Sequence, residues 1–199
     1  MSKFNKFLTI LCLTAFIFTV GCNNKPTNPN GNGSDFEFLK VGNKWQYETR
    51  FYNKDNISTY ISDTIEIIKI EKSIDYPNTD AITRNIDVGI WYANDKGFYA
   101  NEIDLNNNYS IIYKNYYVGQ KWSYTDYDGN KITSEVLSIN ESVTVPAETF
   151  SCVKIRETDS KNKSYCYDTY FSPKYGIIMT DYQMEEGVRL ENVLIYKNY

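Results

Sequence analysis

Val41-Gly42-Asn43-Lys44-Trp45-Gln46-Tyr47 returns 77 positions later as Val118-Gly119-Gln120-Lys121-Trp122-Ser123-Tyr124. In both copies a glycine turn leads into alternating aromatic and polar residues, the period-2 pattern of a half-buried strand. Working outward, Trp91-Tyr92-Ala93-Asn94-Asp95-Lys96-Gly97-Phe98 is echoed 79 positions on by Tyr170-Phe171-Ser172-Pro173-Lys174-Tyr175-Gly176-Ile177. Ile112-Tyr113-Lys114-Asn115-Tyr116 recurs unchanged as Ile195 to Tyr199, 83 positions on. Three matches in one order, with slowly growing spacing, read as a tandem duplication of residues 36–117 and 118–199. Trp45 is then expected to fall on Trp122 and Gly97 on Gly176, with equal burial in the two copies.

Each copy reads as strands. Thr64 to Ile70 and Val136 to Ile139 are β-branched apolar runs, while Phe150 to Arg156 and Leu190 to Tyr196 alternate. Val143-Thr144-Val145 stops at Pro146, as a strand end should. Between these runs stand Asn, Asp, Gly and Pro clusters, and no segment sustains an apolar 3.6 period. The 19 tyrosines and 10 phenylalanines suit a pleated surface with one wet side. Connections this short leave no room for repeated parallel crossovers. The sequence therefore predicts an all-β, antiparallel fold in which two tandem β-repeats form a curved sheet, a sandwich or a barrel-like clam. A single domain over 36–199 is expected, since an ~80-residue unit alone would have a marginal core.

The N-terminus has another character. Lys3 and Lys6 precede an uncharged run from Leu8 to Val20, closed by Gly21-Cys22, which is the layout of a secretory signal over residues 1–21. As a helix the run is only ~20 Å long, short of a ~30 Å hydrocarbon core. Thr19-Val20-Gly21-Cys22 resembles the bacterial lipobox, which implies a diacylglycerol on the Cys22 thiol. Residues 22–35, with NNKPTNPNGNGS after the cysteine, offer no apolar anchor and read as a lipidated cysteine and flexible tether.

Charge and composition narrow the function. Losing Lys3 and Lys6 with the signal takes the net charge from −4 to −6, unsuited to nucleic acid. There is no histidine, which removes the commonest general base and metal ligand together. No cofactor or metal is expected. Asp126-Tyr127-Asp128-Gly129-Asn130 begins like a calcium loop but lacks the distal acid, so it reads as a turn. Cys152 and Cys166 flank a hairpin turn and are candidates for a disulfide. Alternation puts both on the polar face, opposite Val153 and Ile155. Trp45, Trp91, Trp122 and Tyr170 are either core fillers or platforms for a ligand.

Gly42-Asn43-Lys44-Trp45-Gln46-Tyr47, Val145-Pro146-Ala147-Glu148-Thr149-Phe150-Ser151-Cys152 and Tyr170-Phe171-Ser172-Pro173-Lys174-Tyr175-Gly176-Ile177 together resemble a group of uncharacterised bacterial envelope lipoproteins. Glu148 stands where that group usually has Gly. The resemblance implies a β-rich, envelope-anchored domain and supplies no catalytic residues. The expectation is a non-enzymatic, lipid-anchored envelope lipoprotein that binds or scaffolds an apolar, glycan or protein partner. Its membrane partner would be reached through Cys22. The alternative is an envelope hydrolase working through a carboxylate pair. Asn23, rather than Asp, after the lipid cysteine points to the outer membrane.

Overall fold

The computed structural model describes residues 36–198 apart from 55, 63, 73–79, 84–89, 94–95, 102–108, 127 and 186. The signal, Cys22 and the tether lie outside the described residues. The strands are β1 (Lys44–Asn53), β2 (Asn56–Ile61), β3 (Ile65–Glu66), β4 (Ile70–Lys72), β5 (Asp80–Thr83), β6 (Ile90–Ala93), β7 (Gly97–Asn101) and β8 (Tyr109–Tyr113). They continue with β9 (Lys121–Thr125), β10 (Lys131–Thr144), β11 (Thr149–Asp159), β12 (Cys166–Ser172), β13 (Gly176–Glu185) and β14 (Val188–Asn198). All pairings are antiparallel, and among the described residues there is no helix. The all-β, antiparallel expectation holds.

Nine strands form one sheet in the order β2-β1-β14-β13-β12-β11-β10-β9, with β3 also on β1; five form a second, β4-β5-β6-β7-β8. Neither sheet closes into a barrel. β9 to β13 each pair with the next strand in sequence, as short Asn/Gly/Pro turns require. The exception decides the shape. β1, from the first half of the chain, lies against β14, the last strand, from Lys44 opposite Asn198 to Asn53 opposite Val188.

The two halves are built alike at the repeated turn. Gly42 and Gly119 take φ of +92° and +87°, a region open to glycine because it lacks a Cβ. Gly42 N–H donates to the Ile67 carbonyl and Gly119 N–H to the Val136 carbonyl, at 2.7 and 2.8 Å. Asn43 N–H and Gln120 N–H bond back to Lys40 and Tyr117. One residue on, Lys44 pairs with Glu66 at 3.2 Å and Lys121 with Glu135 at 2.9 Å, each across the strand pair.

A ring cluster joins the sheets. Phe38, from the segment before β1, meets Trp45 at 6.1 Å, Phe98 at 5.1 Å and Phe171 at 5.7 Å, edge to face. Trp91 of β6 packs edge-on against Trp45 at 5.4 Å, and Phe98 of β7 stacks on Phe171 of β12 at 5.5 Å. Each such pair adds ~0.5–1.5 kcal/mol beyond the area it buries. Gly97 opens β7 under this cluster, where a Cβ would lie 2.3 Å from the Ile112 carbonyl oxygen.

Candidate functional site

The residues singled out in the sequence separate into three groups. Trp45 (0 % exposed) and Trp91 are sealed in the ring cluster. Trp45 Nε1–H donates to the Tyr175 carbonyl at 2.9 Å and Tyr47 O–H to the Ile177 carbonyl at 2.7 Å. Both acceptors belong to the 170–177 motif, and the Tyr175 ring meets Phe150 of the 145–152 motif at 5.3 Å. The three sequence motifs thus meet at one corner of the core, where their work is packing. Tyr170 sits half-buried in the sheet's other face beneath the Lys154 ammonium, 5.0 Å from its ring.

Trp122 differs from its counterpart. It is half-exposed, touching Tyr113 of β8 edge-on at 5.3 Å, and Ile195 is likewise half-buried where Ile112 is sealed. Equal burial of the two copies was expected and does not hold. The cause is β1: it sits inside a sheet with β14 beside it, whereas β9 is an edge strand.

Cys152 and Cys166, the candidate disulfide pair, are both free thiols. β11 and β12 pair Thr158 with Cys166, so the turn centres on Asn162 and Cys152 lies six residues away, ~20 Å along the strand. Cys152 is also buried rather than on the polar face. β10 inserts an extra residue opposite it, between Ser138 and Glu141, and both Cys152 and Val153 end up inside. Burial, then Glu141, pushes the Cys152 thiol up to about 12, which favours the neutral thiol.

The Asp126 turn closes on itself. Asn130 donates to both Asp126 carboxylate oxygens, at 2.7 and 3.0 Å, and among the described residues no acid or cysteine cluster could hold a metal.

Two rungs across the large sheet carry the chemistry. Register brings Lys121, Glu135, Arg156, Asp168, Asp181, Glu191 and Arg50 into one row over seven strands. Arg156 clamps Asp168 with two 2.7 Å bonds and Arg189 clamps Asp181 at 2.6 and 2.8 Å. Burial alone would raise Asp168, but Arg156 and Lys154 outweigh it and hold the carboxyl below its usual range. Asp168 and Asp181 face each other across β12 and β13, yet each is engaged by its own guanidinium.

The neighbouring rung, on the core side, runs Trp122, Ser134, Glu157, Tyr167, Tyr182, Leu190, Phe51. Along β11 the inward positions pass from buried Val153 and Ile155 to half-buried Glu157, and along β13 from Ile178 and Thr180 to Tyr182. The apolar core thus gives way to a half-exposed aromatic strip. Tyr182 meets Tyr165 at 5.3 Å and Tyr167 at 5.9 Å. Within it, Glu157 accepts from Ser134 Oγ at 3.0 Å and from Tyr124 O–H at 3.2 Å. Glu157 keeps part of its surface in water, but its carboxyl sits deep enough for burial to push its pKa up against those two bonds. Tyr165 is raised by burial first and then by the Glu157 charge. Sequence reading missed Glu157, although a signal existed: it continues the Val153, Ile155 alternation, so it is an acid at an inward position.

No protein-family model and no curated protein matches the chain. Among solved structures, one likeness is to a candidate lipoprotein from Parabacteroides distasonis ATCC 8503, at 17% identity over 84% of this chain and 100% of that one, with a TM-score of 0.45. Another is to a candidate exported protein with a YmcC-like fold from Bacteroides fragilis NCTC 9343, at 14% identity over 82% of this chain and 99% of that one, with a TM-score of 0.47.

Proposed function

We propose that this chain is a lipid-anchored envelope lipoprotein, held in the outer membrane through Cys22, that binds a ligand without transforming it. The observation that carries the binding reading is the half-exposed strip of Trp122, Tyr167 and Tyr182 around Glu157. Aromatic faces left at the water boundary of a sheet offer contact area with little side-chain entropy to lose. A carboxylate-pair hydrolase has less support. Glycosidases need one acid kept protonated beside a second free carboxylate. Asp168 and Asp181 are clamped by guanidinium groups, and Asp126 is occupied by Asn130.

The anchor follows from the lipobox-like end of the signal, where Cys22 supplies the thiol. Acyl chains give ~0.8 kcal/mol per buried CH₂, so more than one chain is needed for stable attachment. Cys22→Ser is expected to abolish incorporation of radiolabelled palmitate and to leave an uncleaved precursor or a soluble protein. Label retained on the Cys22→Ser chain would overturn the anchor.

A further inference from the structure

The chain already shows how its own cations use tyrosine. Lys197 Nζ stands 4.4 Å from the Tyr175 ring centre, Lys154 Nζ 5.0 Å from Tyr170, and the Arg189 guanidinium 5.4 Å from Tyr52. These are cation–π distances, and the attraction grows when the ring is partly desolvated. At Tyr165 and Tyr182 the rings pack together at 5.3 Å, but among the described residues no lysine or arginine stands over either.

Glu157 shares that feature. Acids of the neighbouring rung, on the sheet's other face, are matched by guanidinium or ammonium groups: Asp168 by Arg156 and Lys154, Asp181 and Glu191 by Arg189. Among the described residues Glu157 receives only the neutral hydroxyls of Ser134 and Tyr124, and no lysine or arginine pairs with it. The groups facing it from each neighbouring strand are Tyr124 on β9, Ser134 on β10 and Tyr167 on β12, with Tyr165 close before β12. Ring faces are electron-rich and the carboxylate is negative, so every element of this strip favours positive charge. A mature chain of net charge −6 adds to this at long range.

We propose that the half-exposed strip of Glu157, Tyr165, Tyr167, Tyr182 and Trp122 binds an organic cation, an alkylammonium head group set between the carboxylate and the tyrosine rings. This rests on the binding reading above and gives its ligand class. An anion would meet uncompensated repulsion there. A neutral sugar would find stacking faces but would leave the Glu157 charge unmatched, which costs more at a partly dehydrated site than in water.

The test titrates the full-length lipoprotein, purified in neutral detergent, with choline, tetramethylammonium, the uncharged choline isostere 3,3-dimethyl-1-butanol and chitotetraose. Tryptophan fluorescence reports on binding through Trp122. The expected result is saturable binding of choline and tetramethylammonium, at least tenfold tighter than the isostere and weakened by salt. Glu157→Gln, which keeps size and hydrogen-bonding capacity, should reduce it at least tenfold, and Tyr182→Ala likewise, with far-UV circular dichroism unchanged for the Gln variant. Binding of the isostere or chitotetraose as tight as choline, or undiminished in Glu157→Gln, overturns the cation while sparing the binding strip. Absence of binding by all four probes overturns both.

Discussion

Glu157 is the residue at which folding and ligand recognition pull in different directions. Its carboxyl has an ordinary value of 4.5, and burial raises it in the folded chain despite the bonds from Ser134 and Tyr124. Between 4.5 and the raised value, the folded state holds a proton that the unfolded state has released. Stability from the neutral acid is complete below 4.5 and is lost as pH rises through the folded pKa. Glutamine stays neutral throughout. Glu157→Gln should therefore gain stability relative to the parent as pH rises, with the two chains closest near pH 4. Urea midpoints for both, measured from about pH 4 to 8, check this; parallel curves would mean that the carboxylate is solvated. All other acids, Asp168 included, are common to both chains and cancel in the difference.

Elements show which parts of the site could be read in advance. The turn before each tryptophan was legible, because a glycine ahead of a polar–aromatic alternation has few other meanings. Gly42 and Gly119 have nothing within 4 Å of an added Cβ, so a methyl there meets only backbone strain at φ of +92° and +87°. Gly42→Ala and Gly119→Ala should each cost ~1–2 kcal/mol, and nearly the same amount, by thermal or urea unfolding. A large inequality would show that the matched hydrogen bonds do not make matched turns. The ligand strip was not legible as a unit. Alternation tells which face a residue takes, but the partner on the next strand depends on register, and several bulges shift the register between β10 and β14. Trp122, Glu157, Tyr167 and Tyr182 become neighbours only once those shifts are known.

At the scale of the whole molecule, the duplicated sequence led to an expectation of equal halves, and the chain instead lends part of one half to the other. β1, β2 and β3 lie in the nine-stranded sheet with the whole second half, while β4 to β8 build the other sheet. Strand content and antiparallel order were readable from local alternation and short turns. The transfer of β1 to β14 was not, because it depends on a pairing between residues some 150 apart with nothing local to mark it. This arrangement makes a strong prediction about cooperativity. Phe36 and Phe38 from the first half pack on Phe171 of the second, and Trp45 is bonded to the Tyr175 carbonyl. Residues 118–199 alone would expose that face and leave β14 as a bare edge; residues 36–117 alone would leave β1 without the sheet it completes. Each half should be unfolded by far-UV circular dichroism, and the halves should regain strand signal only when mixed. Residues 36–199 should unfold in one transition, with coincident circular dichroism and tryptophan fluorescence. A cooperative urea transition in either isolated half would show that β1 is an accessory to two independent domains rather than the strand that unites them.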